Sequence, residues 1–117
     1  MRKIEQQMLL AIAERRDWRL DNTEVQVVNF PHGETTIDRI YVRLHGSTIA
    51  IITPDELDIS DCSWQTPTTK SRLNAILSYL CRYSVGITQK NHVWYLCKLD
   101  GTMQEMRQGS RHVLPRN

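Results

Sequence analysis

The residues of this chain that could act together chemically are the cations and aromatic rings of its second half. Between Cys62 and Leu99 the sequence contains no Asp or Glu. The candidate site residues in this stretch are five cations and two tryptophans: Lys70, Arg72, Arg82, Lys90, Lys98, Trp64 and Trp94. Because cations neutralise phosphates and aromatic rings stack on bases, this mixture indicates a nucleic-acid-binding surface. The alternative, favoured by the usual role of aromatic residues in small domains, places the rings in the core and the cations on a solvated face.

The net charge of +2 at pH 7 conceals two halves of opposite charge. Residues 1–61 contain seven Lys or Arg and eleven Asp or Glu, whereas residues 62–117 contain eight and two. Three of the second-half cations, Arg107, Arg111 and Arg116, lie near the end of the chain. This asymmetry leaves two classes of partner open: another protein, and DNA or RNA.

Sequence patterns typical of enzymes and of cofactor-binding proteins do not occur in this chain. Its five glycines are isolated from one another, so they form no glycine-rich loop that could hold a phosphate. No GxSxG or Cys/His signature pairs a nucleophile with a base. We therefore expect a protein that is not an enzyme and that binds no cofactor.

The three cysteines, Cys62, Cys81 and Cys97, include no CxxC pair. An odd count without such a pair predicts neither a disulfide framework nor a zinc knuckle, and it fits a reducing cytoplasm. Cys81 and Cys97 are predicted to be core residues, since the first continues an apolar helix stripe and the second ends an apolar strand. A metal site that joins them to His92 is the weaker alternative, because no short ligand spacing supports it.

One cluster of acidic residues precedes the basic half of the chain. Its members are Asp55, Glu56, Asp58 and Asp61. They lack the spacing of a calcium-binding loop, so solvent-facing carboxylates on an edge strand are the favoured interpretation. No metal site is predicted.

The hydrophobic pattern predicts an α+β fold of the order α-β-β-β-β-α-β-β, in which an amphipathic helix packs on one face of an antiparallel sheet. The predicted strands are Val25–Phe30, Ile37–Leu44, Thr48–Ile52, Leu57–Ser60, Val85–Gln89 and Val93–Cys97. The first helix covers about Arg2 to Arg16, and the second begins at Pro67 with Thr66 as its cap. The apolar stripe of that second helix contains Leu73, Ile76, Leu77 and Leu80.

The length of the chain predicts a single domain over residues 1–101, followed by a basic tail over residues 102–117. Around Met103 to Arg107 we expect a short turn of helix and beyond it a mobile segment. No apolar stretch is long enough to cross a bilayer, and no signal peptide opens the sequence. The expected location is therefore the cytoplasm, with no contact with membranes.

Three segments of the sequence resemble a family. They are Val42–Ala50, Trp64–Leu77, and Gly86–Lys90 together with Trp94 and Tyr95. These segments are similar to small uncharacterised proteins of tailed bacteriophages, cyanophages among them, which share an HG..IA hairpin, a W.T.TT..RLN helix start and a QK...W hairpin. The resemblance covers roughly residues 40–96. It implies a phage protein that acts in the host cytoplasm, and it implies no activity, cofactor or catalytic residue.

The functional prediction is a phage accessory protein that binds another protein through a sheet edge or an aromatic patch. A nucleic-acid-binding module that uses the basic, aromatic-rich second half is the alternative.

Overall fold

The computed structural model describes residues 1–116 and contains two helices and nine strands in that part of the chain. Their order is α1 (Lys3–Glu14), β1 (Trp18–Leu20), β2 (Thr23–His32), β3 (Thr35–Leu44), β4 (Ser47–Ile52), β5 (Glu56–Ser60), α2 (Pro67–Leu80), β6 (Val85–Lys90), β7 (Val93–Lys98), β8 (Met103–Glu105) and β9 (Arg111–Pro115). Both helices and all six predicted strands are present. The strands β1, β8 and β9 were not predicted.

The strands form two antiparallel sheets. The larger sheet has six strands in the order β1-β2-β3-β4-β5-β9, and the smaller one has three in the order β6-β7-β8. The first five strands of the larger sheet follow the chain as a meander, whereas β9 returns from the end of the chain to pair with β5. The predicted α+β class and antiparallel pairing are thus confirmed, although the strands divide between two sheets rather than forming the single sheet expected.

Local sequence signals explain the turn between β3 and β4. His45 and Gly46 both have left-handed backbone angles, with φ of 51° and 81°. A two-residue turn with positive φ at both positions matches the twist of the strands that it joins, and glycine adopts this conformation without steric cost. The predicted tight hairpin at His45-Gly46 is confirmed.

The helix α2 begins and packs as its sequence predicts. The Thr66 hydroxyl oxygen accepts a hydrogen bond of 3.1 Å from the backbone N–H of Thr69, and Pro67 occupies the first turn. The stripe residues Leu73, Ile76, Leu77 and Leu80 are all buried. They share one core with Met8 and Ile12 of α1 and with the inner face of the larger sheet, where Val25, Val42, Ile52 and Leu57 lie. Apolar burial of about 25 cal/mol per Å² makes this core the main stabilising term.

The segment after residue 101 differs from the prediction. Met103–Glu105 pairs with β7 as strand β8, and Arg111–Pro115 pairs with β5 along its whole length as β9. The prediction of a helical turn and a mobile tail was therefore wrong for residues 102–116. Asn117 lies outside the described residues. Strand β9 has little apolar periodicity of its own, because only Leu114 points into the core. Its stability comes from pairing with a distant strand.

Burial of the cysteines follows the strand and helix periodicities. Cys81, which continues the stripe of α2, has 1% of its surface exposed, so its predicted core position is confirmed. Cys97 is only half-buried, and its prediction was wrong. Side chains alternate along a strand, and in β7 Trp94 and Leu96 take the inner positions. Cys97 therefore points to the other face, where its sulfur lies 3.1 Å from the Thr88 hydroxyl.

A thiol-specific reagent is expected to label the native protein in two kinetic phases. Cys62 and Cys97 should react first, because they are partly exposed, and Cys81 should react much more slowly. Burial raises the pKa of the Cys81 thiol, an effect that the nearby Arg116 charge partly opposes, so its reactive thiolate is also scarcer at neutral pH. Stopped-flow labelling followed by peptide mass mapping measures this order. Equal rates for all three thiols would contradict the burial of Cys81.

Candidate functional site

The structure places Arg72, predicted as a surface cation, in the protein interior. Its guanidinium donates hydrogen bonds to the Glu5 carboxylate at 2.8 Å, the Thr23 hydroxyl at 3.0 Å and the Asn22 side-chain oxygen at 3.4 Å. The Ser71 hydroxyl also donates to Glu5, at 2.6 Å. This buried network links α2 to α1 and to the start of β2. Arg72 is consequently a structural residue, and its carboxylate partner, Glu5, comes from α1.

Trp94 is also in the core, with 2% of its surface exposed, so its ring has no free face on which a base could stack. The Lys70 ammonium lies 6.0 Å from the centroid of this ring and donates a hydrogen bond of 3.1 Å to the Gln89 side chain. Lys70 therefore packs against two neighbouring side chains of the β6–β7 hairpin, although it keeps some contact with solvent.

The remaining candidate cations are exposed but do not form one patch. Lys90 lies at the turn end of the β6–β7 hairpin, whereas Lys98 lies at the open end, paired with Val85. Arg82 follows α2 and is close in sequence to that open end. Since a six-residue strand is about 17 Å long, the exposed cations divide between two ends of the hairpin.

Trp64, in contrast to Trp94, lies at the surface, with 67% of its surface exposed. It borders a cleft of about 520 Å³ between the β3–β4 hairpin and the first turn of α2. Leu44 and Ile49 contribute buried apolar side chains to this cleft, which is also lined by Cys62, Thr66 and Thr68. We call this feature the Trp64 cleft. Its size is that of sites that bind small molecules or side chains.

A buried carboxylate holds the loop that presents Trp64. The side chain of Asp61 has no exposed surface and accepts hydrogen bonds from the backbone N–H of Ser63 at 2.8 Å and of Gly109 at 2.7 Å. The side-chain amide of Gln65 donates a hydrogen bond of 2.9 Å to the same carboxylate. The backbone N–H of Trp64 donates to the backbone oxygen of Asp61. The loop is thus fixed at both sides of Trp64.

The segment before β9 closes against this loop. Gln108 donates a hydrogen bond of 2.7 Å to the Ser63 backbone oxygen, and Gln65 donates one of 3.0 Å to the Met106 backbone oxygen. Gly109 has a φ of +83°, and a Cβ atom at that position would lie 2.7 Å from the Ser63 hydroxyl oxygen. The close approach of the two loops therefore requires glycine there.

A comparison with protein-family models matches residues 1–112 to the family described as Kyanoviridae Gp96 protein. The chain belongs to this family. The Kyanoviridae are cyanophages, so the resemblance to phage proteins is confirmed, and the match extends beyond residues 40–96 to include α1, the first hairpin and β8. Comparison with curated proteins and with solved structures gives no match. Within residues 1–116 of this Kyanoviridae Gp96 family member, no helix is both long and apolar enough to span a membrane.

The acidic cluster of this family member is dispersed by the fold. Asp61 is buried, and Asp58 accepts a hydrogen bond of 3.0 Å from Arg111. Strand β5 lies between β4 and β9, so the interpretation of these carboxylates as an edge strand was wrong. The weaker alternative, a metal site that joins His92 to Cys97, is not supported either, because His92 immediately precedes β7 and Cys97 lies near the other end of that strand. In the described part of the chain, no three His, Cys, Asp or Glu side chains come together as a metal site would require.

Sequence reasoning missed the roles of two residues that hold the Trp64 loop, Asp61 and Gly109. Asp61 is one of four carboxylates in a short stretch, and no local pattern distinguishes the buried member from the others. The only signal was the dense polar loop between β5 and α2, which is a common setting for functional residues.

Proposed function

We propose that this phage protein is a non-catalytic binding module whose partner is another protein, from the host or from the phage. The Trp64 cleft would receive an apolar side chain of that partner. The observation that carries this proposal is the largely exposed indole of Trp64 beside the buried apolar side chains of Leu44 and Ile49. Tryptophan is among the residues that contribute most binding free energy at protein interfaces, especially beside a pocket that excludes water.

The rigidity of the site supports a binding role. The Trp64 loop has its backbone hydrogen-bonded through Asp61, and it is tied to the segment before β9 by Gln108. A preformed site loses little conformational entropy when a partner binds, so more of the contact energy appears as affinity. We also propose the host cytoplasm as the place of action, for which phage origin and an odd number of cysteines are the support.

Nucleic-acid binding is the less favoured alternative. Its support is the stretch without acidic residues between Cys62 and Leu99 and the exposure of Arg82, Lys90 and Lys98. Burial of Arg72 and Trp94 removes one cation and one ring from the proposed contact surface. A polyanion would also need cations on one face, where each neutralised phosphate adds to affinity.

Replacing Trp64 with alanine is expected to weaken capture of the partner by about thirtyfold, which corresponds to the roughly 2 kcal/mol typical of a tryptophan hot spot. The measurement is affinity capture from nuclease-treated cyanobacterial lysate, followed by titration of the captured protein against wild type and variant. Tyr83→Ala is the matched control, because Tyr83 is 77% exposed and follows the opposite end of α2. Equal affinity of wild type and the Trp64→Ala variant would reject the cleft as the site. Capture that is lost on nuclease treatment would favour the nucleic-acid alternative.

A further inference from the structure

One face of the six-stranded sheet is left open by the fold. Val42, Ile52 and Leu57 point to the inner face, where at most 1% of each surface is exposed. The buried side chains of both helices belong to the same core as these residues, so the helices lie on the inner face. Because neighbouring side chains alternate, Tyr41, Ile51 and Val113 point to the outer face. They remain accessible to solvent, and among residues 1–116 no helix packs on them.

The central row of this outer face contains three apolar or aromatic side chains and one carboxylate. The strand registers place Tyr41, Ile51, Asp58 and Val113 in one row across β3, β4, β5 and β9. Further along the same face, Phe30 of β2 lies opposite Ile37 of β3. Arg39 lies over the Phe30 ring, with its guanidinium carbon 4.6 Å from the ring centroid. A solvent-accessible face that combines apolar side chains with charges is typical of a surface that binds another protein.

On the part of this face formed by β3, β4 and β5, two opposite charges have no ionic partner in the described part of the chain. They are Arg39 on β3 and Glu56 on β5, both exposed. Ile52 pairs with Ile40 on one side and with Leu57 on the other. One residue further along, Thr53 therefore lies between Arg39 and Glu56. The backbone N–H of Thr53 donates a hydrogen bond to the Glu56 backbone oxygen, which extends the β4–β5 pairing to this row. Arg39 and Glu56 therefore lie on the two strands that flank β4, at the same height along it.

We propose that this outer face binds a second copy of the chain, about a twofold axis that runs along β4. Such an axis lays β3 of each copy over β5 of the other, so Arg39 of one copy faces Glu56 of the other, and the contact occurs twice. It also lays β2 over β9, which brings Glu24 opposite Arg111, since these residues occupy equivalent rows. At the axis, Ile51 meets Ile51. The charges of the face are thus complementary to those of a second copy, with an apolar contact at the axis and Asp58 of each copy opposite Tyr41 of the other.

The size of the face predicts a weak dimer. Five strands about 4.8 Å apart and about five residues long cover roughly 20 by 17 Å of sheet. Pairing two such faces covers on the order of 700 Å², well below the roughly 1,200 Å² at which stable interfaces begin and in the range of weak, transient contacts. The dimer should therefore form in the micromolar range rather than at nanomolar concentration.

Charge reversal tests this proposal with a matched set of variants. Arg39→Glu alone and Glu56→Arg alone should each weaken dimerisation by about tenfold, since each replaces two attractive contacts by two repulsive ones. The double variant Arg39→Glu with Glu56→Arg should restore most of the affinity. Lys90→Glu, which reverses an exposed charge on the smaller sheet, is the control and should have no effect. Sedimentation equilibrium from low to high micromolar concentration measures all four, with circular dichroism as a test of folding.

Each outcome decides the proposal. Rescue by the double variant supports the twofold arrangement along β4, because reversing both charges restores attraction only if the two residues face each other. A wild-type protein that stays monomeric at high micromolar concentration overturns it. A dimer that forms but ignores both single reversals also overturns it, since another surface must then be responsible.

Discussion

Replacing Arg72 with alanine is expected to lower the free energy of unfolding by about 3–5 kcal/mol, because it leaves the Glu5 carboxylate buried without its counter-charge. Glu5 is 2% exposed and receives the Arg72 guanidinium at 2.8 Å, and its other hydrogen bond comes from Ser71. Thr23 also loses a donor. A domain of this size has about 5–15 kcal/mol of stability in total, so the loss would be visible in a urea denaturation curve.

The controls for this prediction separate charge pairing from loss of a long side chain. Lys70→Ala removes a cation from the same helix with partial exposure, and it should change stability by about 0.5 kcal/mol or less. Glu5→Gln combined with Arg72→Met should cost less than Arg72→Ala alone, because the pair is removed together. If the free energy of unfolding of the Arg72→Ala variant were within about 1 kcal/mol of wild type, the buried pair would have no major structural role.

The second large effect is expected at Asp61, where alanine should lower the free energy of unfolding by about 3 kcal/mol. The buried carboxylate accepts three hydrogen bonds, from Ser63, Gly109 and Gln65, and bonds to a charged group contribute about 1.5–3 kcal/mol each without being additive. The loop that carries Trp64 would lose its fixed conformation. We therefore expect loss of partner binding as well as a lower midpoint of thermal unfolding.

Asp58→Ala is the matched control for Asp61. Asp58 lies three residues earlier, has 27% of its side chain exposed and pairs with the more exposed Arg111, so its removal should cost about 1 kcal/mol or less. Asp61→Asn should give an intermediate loss, since the amide oxygen can still accept hydrogen bonds. Equal unfolding free energies for the Asp61→Ala and Asp58→Ala variants would show that the Asp61 network does not hold the loop. Differential scanning calorimetry measures the three variants under one set of conditions.

Elements with strong local signals were predictable from the sequence. The Thr66-Pro67 start of α2 needs only neighbouring atoms, because the threonine oxygen bonds a backbone N–H three residues later. The His45-Gly46 hairpin likewise depends on the backbone preferences of its own residues. The apolar stripe of α2 follows from helical periodicity. Strand β9 had no such local signal, because its backbone pairs with β5, which lies about fifty residues earlier in the chain.

The candidate site could be predicted only in part. Trp64 and Trp94 have the same chemistry in the sequence, yet one is 67% exposed and the other 2%. Alternation along β7 places Trp94 inside with Leu96, whereas Trp64 lies in a loop whose direction is set by Asp61. Strand periodicity therefore contained a signal for Trp94, and nothing local indicated the outward position of Trp64.

The sequence by itself determined the helices, the main strands, their turns and the phage family of this protein, since each of these rests on residues close together in the chain or on a linear pattern. Only the tertiary structure decided which polar residues are buried. A charge such as that of Arg72 can leave water only when a partner replaces its hydration, and that partner, Glu5, lies 67 residues away. Asp61 likewise needs the N–H of Gly109, 48 residues later in the chain. Burial of a charge is thus a property of the assembled fold.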